Sequence, residues 1–222
     1  MTRARWAVFA YHTFRARALD ALLARDEHVA AVVTHPDDPG EGAWFESVAE
    51  IARVYRVPCL TPSSPNLPEV VRTLRGLAPD LILAVWYRRL LGPEILRLAR
   101  VAALNLHGSL LPAYRGRAPL NWVLVNGETR TGVTLHHMTA AADAGDIVAQ
   151  QPIGIEPDDT AFTLYECMMK VGVELLLETY PAVLAGTAPR VCQDHARATL
   201  VPRRRPEDGR VAWAWPARAS AT

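Results

Sequence analysis

The feature that most constrains the fold of this chain is a repeated alternation of short, unbroken apolar runs with stretches of helical periodicity. The apolar runs occupy residues 6–10, 29–34, 58–60, 81–85 and 102–106. Between them, 16–24, 45–55 and 67–76 carry apolar residues at helical spacing, and 93–99 has a proline in its first turn. A strand with one wet face alternates apolar and polar side chains, whereas a strand without alternation is buried on both faces. Such strands, linked by helices, make a parallel sheet with helices on either side. The expected fold is therefore α/β, a Rossmann-like open, mostly parallel sheet. Its ligands sit beyond the carboxyl ends of the strands, near a switch in strand order. Tyr11-His12, Trp86-Tyr87 and Asn105-Leu106-His107 each follow an apolar run and so mark the candidate site.

The second half reads differently. Residues 132–138 and 147–155 are expected strands, and the small-residue loop between them brings Asp143 back over the sheet. A long helix is expected from about 161 to 184, with Asp159 or Thr160 as its N-cap and Met168 and Met169 as core filler. After Gly186 the pattern becomes irregular. We therefore expect a catalytic domain over residues 1–188 and a short C-terminal extension over 189–222, in which Trp213 and Trp215 are candidate anchors for a homodimer.

Composition narrows the function. Half of the 222 residues are apolar and the formal net charge is +1, which suits one folded domain and disfavours a nucleic-acid coat. No secretory h-region and no apolar run of about 18 residues is present, so a cytoplasmic protein without a membrane partner is expected. Cys59, Cys167 and Cys192 form neither a CxxC pair nor an even framework, and are expected to be small buried hydrophobes. No GxGxxG follows the first run, so a nicotinamide or flavin dinucleotide is not expected. Arg203, Arg204 and Arg205, flanked by Pro202 and Pro206, read as a solvated tail ahead of a phosphate-binding patch. His136 and His137 are adjacent on a strand, face opposite ways and cannot chelate one metal together; a structural or substrate-rim role is expected, and no metal site.

The most informative segment is Asn105-Leu106-His107-Gly108-Ser109-Leu110-Leu111-Pro112. On a strand, Asn105 and His107 share a face, so an amide donor and an imidazole converge at its carboxyl end. The same spacing also fits a satisfied core histidine beside a turn asparagine. Together with Tyr114-Arg115-Gly116-Arg117-Ala118-Pro119, Gly132-Val133-Thr134-Leu135 and Ala142-Asp143-Ala144-Gly145-Asp146, this segment resembles the signature of the folate-dependent formyltransferases. Phe9-Ala10-Tyr11-His12, Thr34-His35, Pro39-Gly40-Glu41, Tyr87-Arg88 and the unbroken run from Arg115 to Thr129 resemble, in particular, the formyltransferase domain of the bifunctional UDP-4-amino-4-deoxy-L-arabinose enzyme, a sugar-nucleotide N-formyltransferase.

The resemblance implies a catalytic set of Asn105, His107 and Asp143, with Asp143 preferred over the nearby Asp146. It implies N10-formyltetrahydrofolate as co-substrate, held by Arg89, Leu90, Leu91, Arg117, Thr139, Ala140, Ala141, Ala142 and Asp143. Tyr11, Arg115 and Arg117 are the implied substrate contacts, and the partners are small molecules: a reduced folate and an amino-sugar nucleotide. The chemistry suits these groups. Asn105 can donate to a tetrahedral oxyanion, a contact typically worth ~3 kcal/mol. His107 can take the amine proton, and Asp143 can orient the imidazole and favour its charged form.

Overall fold

The computed structural model describes residues 3–11, 13–36 and 47–210. In chain order the first part runs β1 (Arg5–Ala10), α1 (Thr13–Ala24), β2 (His28–Val33), α2 (Val48–Val54), β3 (Cys59–Leu60), α3 (Pro68–Leu77), β4 (Leu81–Val85), α4 (Pro93–Leu96) and β5 (Ala102–His107). It continues with β6 (Arg115–Gly116), α5 (Pro119–Val125), β7 (Arg130–His137), β8 (Ile147–Gly154), α6 (Ala161–Leu184) and β9 (Leu200–Val201). One seven-stranded sheet has the order β3-β2-β1-β4-β5-β7-β8. Neighbours from β3 to β5 are parallel, and β7 and β8 add an antiparallel hairpin at the edge. This is the expected Rossmann-like, mostly parallel α/β sheet.

The unbroken apolar runs are buried on both faces. Along β1, Trp6, Val8 and Ala10 enter one core while Ala7 and Phe9 enter the other, as a period of two requires. The first core is covered by α1, α2, α5 and α6; the second by α3 and α4. Met168 and Met169 pack into the first, as expected. Helix α6 begins where the sequence places it: Thr160 Oγ1 accepts from the Thr163 amide, and the Thr163 hydroxyl accepts from the Thr160 amide.

Several local expectations differ from the structure. Helix α4 ends at Leu96 rather than near 99, because the Arg100 and Val101 amides already bond Pro79 and Asp80 carbonyls and turn the chain into β5. Helix α2 spans Val48–Val54, capped by Ser47 at the Glu50 amide; positions 45 and 46 lie outside the described residues. Cys167 and Cys192 are exposed and Cys59 is half-buried, so burial does not describe them: α6 turns one flank to solvent, and Cys192 lies on the surface beside Asp146. Helix α5 and the β6–β9 ribbon were not anticipated, being too short for periodicity to register. His12, Pro39-Gly40-Glu41, Trp213 and Trp215 lie outside the described residues.

The stretch beyond α6 is irregular but fastened. Val191 exchanges backbone hydrogen bonds with Ile147, and β9 pairs in parallel with β6. Strand order reverses between β1 and β4, since β2 flanks β1 on its other side. The ends of β1, β4 and β5 therefore open together, where an α/β sheet binds its ligands.

Candidate functional site

The site begins at the end of β5. Asn105 and His107 share a face, and the antiparallel register sets Asn105 directly opposite His136 of β7. Directly opposed residues point to the same side of a sheet, so His136 joins the pair and His137 turns away. The loop after β7 returns Asp143 to the same place. Asp143 adopts a left-handed backbone (φ 51°), a conformation that aspartate tolerates better than most residues. Close packing secures the turn: a Cβ on Gly145 would lie 1.9 Å from the His137 carbonyl oxygen.

The result is a buried four-residue cluster. Asp143 Oδ1 accepts from Asn105 Nδ2 at 3.2 Å and lies 3.5 Å from both His107 Nδ1 and His136 Nε2. Its Oδ2 accepts from the Gly116 amide at 2.9 Å. Asn105 Nδ2 is also 3.1 Å from His136 Nε2. Gly116 itself has φ 103°, and a Cβ there would meet the Val201 carbonyl oxygen at 2.5 Å, so β9 can close on this strand only over glycine.

Carbonyl oxygens only accept, and that settles the tautomers. His107 Nε2–H donates to the Tyr114 carbonyl at 2.9 Å, leaving the Nδ1 lone pair beside Asp143. The ring is thus held by Tyr114, and Asp143 stands at the nitrogen that receives a proton, rather than behind the ring. His136 Nδ1–H donates to the His137 carbonyl at 2.9 Å, so its Nε2 accepts from Asn105. Both amide hydrogens of Asn105 are therefore engaged, one on Asp143 and one on His136.

Electrostatics divides the group. Burial pushes the His107 pKa down more than the neighbouring Asp143 charge and the Tyr114 carbonyl raise it, so the ring is neutral near pH 7. Asp143 has the opposite balance. Burial alone would raise its carboxyl, but in acid, where the rings charge, His107 first and then His136 attract it, and with the Gly116 amide they hold it down at about 2. The site thus pairs a fixed anion with a neutral base.

The supporting structure is polar. Arg115 donates to Gln193 Oε1 at 2.6 and 3.1 Å and reaches His195 Nδ1 at 3.0 Å. Gln193 Nε2 in turn donates to the Asp143 and Gly145 carbonyls, at 2.9 and 2.6 Å. Arg115 therefore braces the Asp143 loop through Gln193. The turn after β5 is pinned from β7 and β8: Thr134 Oγ1 donates to the Ser109 carbonyl, and Gln150 Nε2 to the Leu111 carbonyl. Trp86 closes one side, so near Gly108 that a Cβ there would lie 2.6 Å from the indole.

Other anticipated residues are placed as follows. Leu90 is exposed at the rim while Leu91 is buried in the second core. Asn66 clamps this segment by donating to the Leu90 carbonyl and accepting from the Gly92 amide. Arg89 is exposed, as are Thr139, Ala140 and Ala141; Ala142 is half-exposed, and the Thr139 hydroxyl donates to the Ala141 carbonyl. Tyr11 is buried edge-on to His35, with the Arg88 guanidinium 4.6 Å above its ring. Arg117 is exposed immediately after Gly116. Asp146 lies apart, ion-paired to Arg190. Among the described residues, no group of three or more histidine, cysteine, aspartate or glutamate side chains is placed to hold a metal ion. No described helix is long and apolar enough to cross a membrane.

Sequence reasoning under-read His136, Gln193, Asn66 and the Tyr114 carbonyl. For His136 the signal was present: one of two adjacent histidines on a strand has to share the Asn105 face. Gln193 and Asn66 act through contacts distant in the chain, and the Tyr114 carbonyl meets His107 across an irregular turn that periodicity does not describe.

Residues 4–180 match the family model described as formyl transferase. The chain belongs to this formyl transferase family. Glycinamide ribonucleotide transformylase 1 from Geobacillus kaustophilus is similar, with 31% identity, a TM-score of 0.67, and coverage of 82% of this chain and 97% of that one. An N-formyltransferase from Helicobacter canadensis, in complex with folinic acid and dTDP-3-aminofucose, shares the fold at 19% identity and TM-score 0.69, covering 91% of this chain and 71% of that one. A formyltetrahydrofolate deformylase from Pseudomonas syringae pv. tomato shares it at 22% identity and TM-score 0.70, covering 83% and 62%. This formyltransferase therefore has the fold on which amine formylation and folate deformylation both occur.

Proposed function

We propose that this formyltransferase moves the formyl group of N10-formyltetrahydrofolate onto the amine of an amino-sugar nucleotide, with UDP-4-amino-4-deoxy-L-arabinose the leading acceptor. The single observation that carries the chemistry is the cluster itself: a neutral His107 with its lone pair beside an ionised Asp143, next to an amide donor. The unbroken Arg115-Gly116-Arg117-Ala118-Pro119-Leu120-Asn121-Trp122 sequence supports the sugar-nucleotide acceptor. Catalysis falls to residues 1–188, with 189–222 as an extension, in a cytoplasmic enzyme.

The amine nitrogen attacks the formyl carbon, forming a C–N bond and moving the carbonyl electron pair to oxygen. Its proton passes to His107 Nδ1, where the Asp143 carboxylate stabilises the resulting imidazolium. The Asn105 amide donates to the oxyanion once hydrogens of the incoming amine replace it on Asp143. The tetrahedral carbon then collapses, breaking its bond to N10, which takes a proton from the imidazolium.

On this reading the folate ring is held by Arg89, the exposed Leu90 and the buried Leu91, and by the backbone of Thr139, Ala140, Ala141 and Ala142. Arg117 and the Tyr11 neighbourhood rim the acceptor side, and Arg115 acts through Gln193.

Mixing the enzyme with N10-formyltetrahydrofolate and UDP-4-amino-4-deoxy-L-arabinose should yield a product heavier by one formyl group. Formate release with no acceptor consumed would make it a deformylase. Formylation of glycinamide ribonucleotide, or of a dTDP-amino sugar, in preference to the UDP sugar would reassign the acceptor.

A further inference from the structure

The arginine run after β9 is tied back to the domain at its start. Pairing of β9 with β6 carries it over the site: the Arg117 amide donates to the Val201 carbonyl at 3.0 Å, and Trp122 Nε1 donates to the Pro202 carbonyl at 2.8 Å. Arg204 then lies over the Trp122 ring, its guanidinium carbon 5.2 Å from the centroid. Its Nη1 is buried with no hydrogen-bond partner among the described residues. Burying a guanidinium donor unsatisfied is costly, and such groups call for an acceptor.

Neighbouring charges point the same way. Partial desolvation, and after it the positive charges of Arg203 and Arg88, push the exposed Arg117 guanidinium below its ordinary pKa. Among the described residues, no carboxylate pairs with Arg117 or Arg203. Arg117 and Arg203, placed together in this way, repel each other until an anion arrives. The gathering also starts one residue beyond Gly116, whose amide holds Asp143.

We propose that Arg117, Arg203 and Arg204, with Arg88 at the rim, form the subsite for the diphosphate of a nucleotide-linked acceptor, delivered by β9 to the mouth of the catalytic cluster. This rests on the sugar-nucleotide reading above and deepens it. Guanidinium groups suit it because each offers paired donors to phosphate oxygens. The sugar amine then lies at Asp143 and His107 while the phosphates are clamped one residue along β6. The same anionic chemistry occurs in the glutamate carboxylates of the folate, and a single phosphate occurs in a ribonucleotide acceptor.

The test compares wild type with Arg203→Ala and Arg203→Lys, measuring KM for each substrate in turn and calorimetric binding of UDP, UMP and inorganic pyrophosphate. Arg203 is exposed, so both variants are expected to fold, and a thermal melt checks this. We expect Arg203→Ala to weaken UDP and pyrophosphate binding about tenfold, and to raise KM for the UDP-amino sugar similarly, with KM for N10-formyltetrahydrofolate changing far less. Arg203→Lys recovers part of the loss. A rise in KM for the folate instead assigns the cluster to glutamate carboxylates and overturns the proposal. UMP binding as tightly as UDP, or unchanged pyrophosphate binding in Arg203→Ala, also overturns it. Arg203-dependent UDP binding without formylation of any amino-sugar nucleotide supports the subsite and sinks the acceptor reading, so the two failures are separable.

Discussion

The loop joining β7 to β8 carries two aspartates, and its inner and outer ends behave as opposites. Asp143 at the inner end is held by Asn105 and the Gly116 amide beside two histidines. Asp146 at the outer end faces solvent with Arg190 at 3.2 Å and Cys192 beside it. Both carboxyls are held below their ordinary pKa, so lowered acidity does not separate them. What separates them is the cost opposed. Asp143 keeps its charge against strong desolvation, because a fixed set of donors and imidazoles replaces water; Asp146 is stabilised in water by its Cys192 hydrogen bond and by Arg190. Only the first arrangement can act on a substrate from which water is excluded.

The largest expected effect tests the inner end directly. His107→Ala should lower kcat/KM by about a thousandfold with the circular dichroism spectrum unchanged, since a positioned general base contributes on that order. Next comes Asp143→Asn, which keeps the shape but removes the charge beside Nδ1; a loss of about a hundredfold in kcat is expected from single-turnover measurements. Asp146→Ala losing more than Asp143→Asn would reverse the comparison.

The pH dependence gives a third test. Depressing the Asp143 carboxyl from 3.8 to about 2 contributes roughly 2 kcal/mol of stability, present above pH 3.8 and lost as pH falls through about 2. Urea unfolding should show that loss in wild type and not in Asp143→Asn. The lowered His107 pKa has its own sign: the neutral base persists below pH 6.5, so the acid limb of kcat should lie below that value.

Smaller effects sharpen the comparison. His136→Ala strands an Asn105 amide hydrogen, so a stability loss of about 1–3 kcal/mol and a drop of about tenfold in kcat are expected by denaturant titration and steady-state kinetics. The smallest change is predicted for Asp146→Ala, which breaks an exposed pair and should stay within about twofold of wild-type activity.

The alternation of buried apolar runs with helices was legible in the sequence, and so were Asn105 and His107 as partners on one strand face. Both follow from local periodicity, which survives without knowledge of distant contacts. Helix α6 was legible for the same reason, with its cap narrowed to Asp159 or Thr160, and the structure gives it to Thr160. The family motif also singled out Asp143, though nothing local distinguishes it from Asp146.

The tertiary structure alone decided the tautomers and the hydrogen-bond economy of the cluster. His107 meets the Tyr114 carbonyl across a turn, His136 meets Asn105 through antiparallel register, and Gln193 braces a loop far from it in sequence. It also tied residues 201 and 202 back to β6 and α5, through the β9 pairing and the Trp122 bond to the Pro202 carbonyl, and set Arg204 over the Trp122 ring while Arg203 and Arg205 stay exposed. Periodicity determines which face a residue occupies; which groups meet on that face depends on register and on chain return, and those are set by packing.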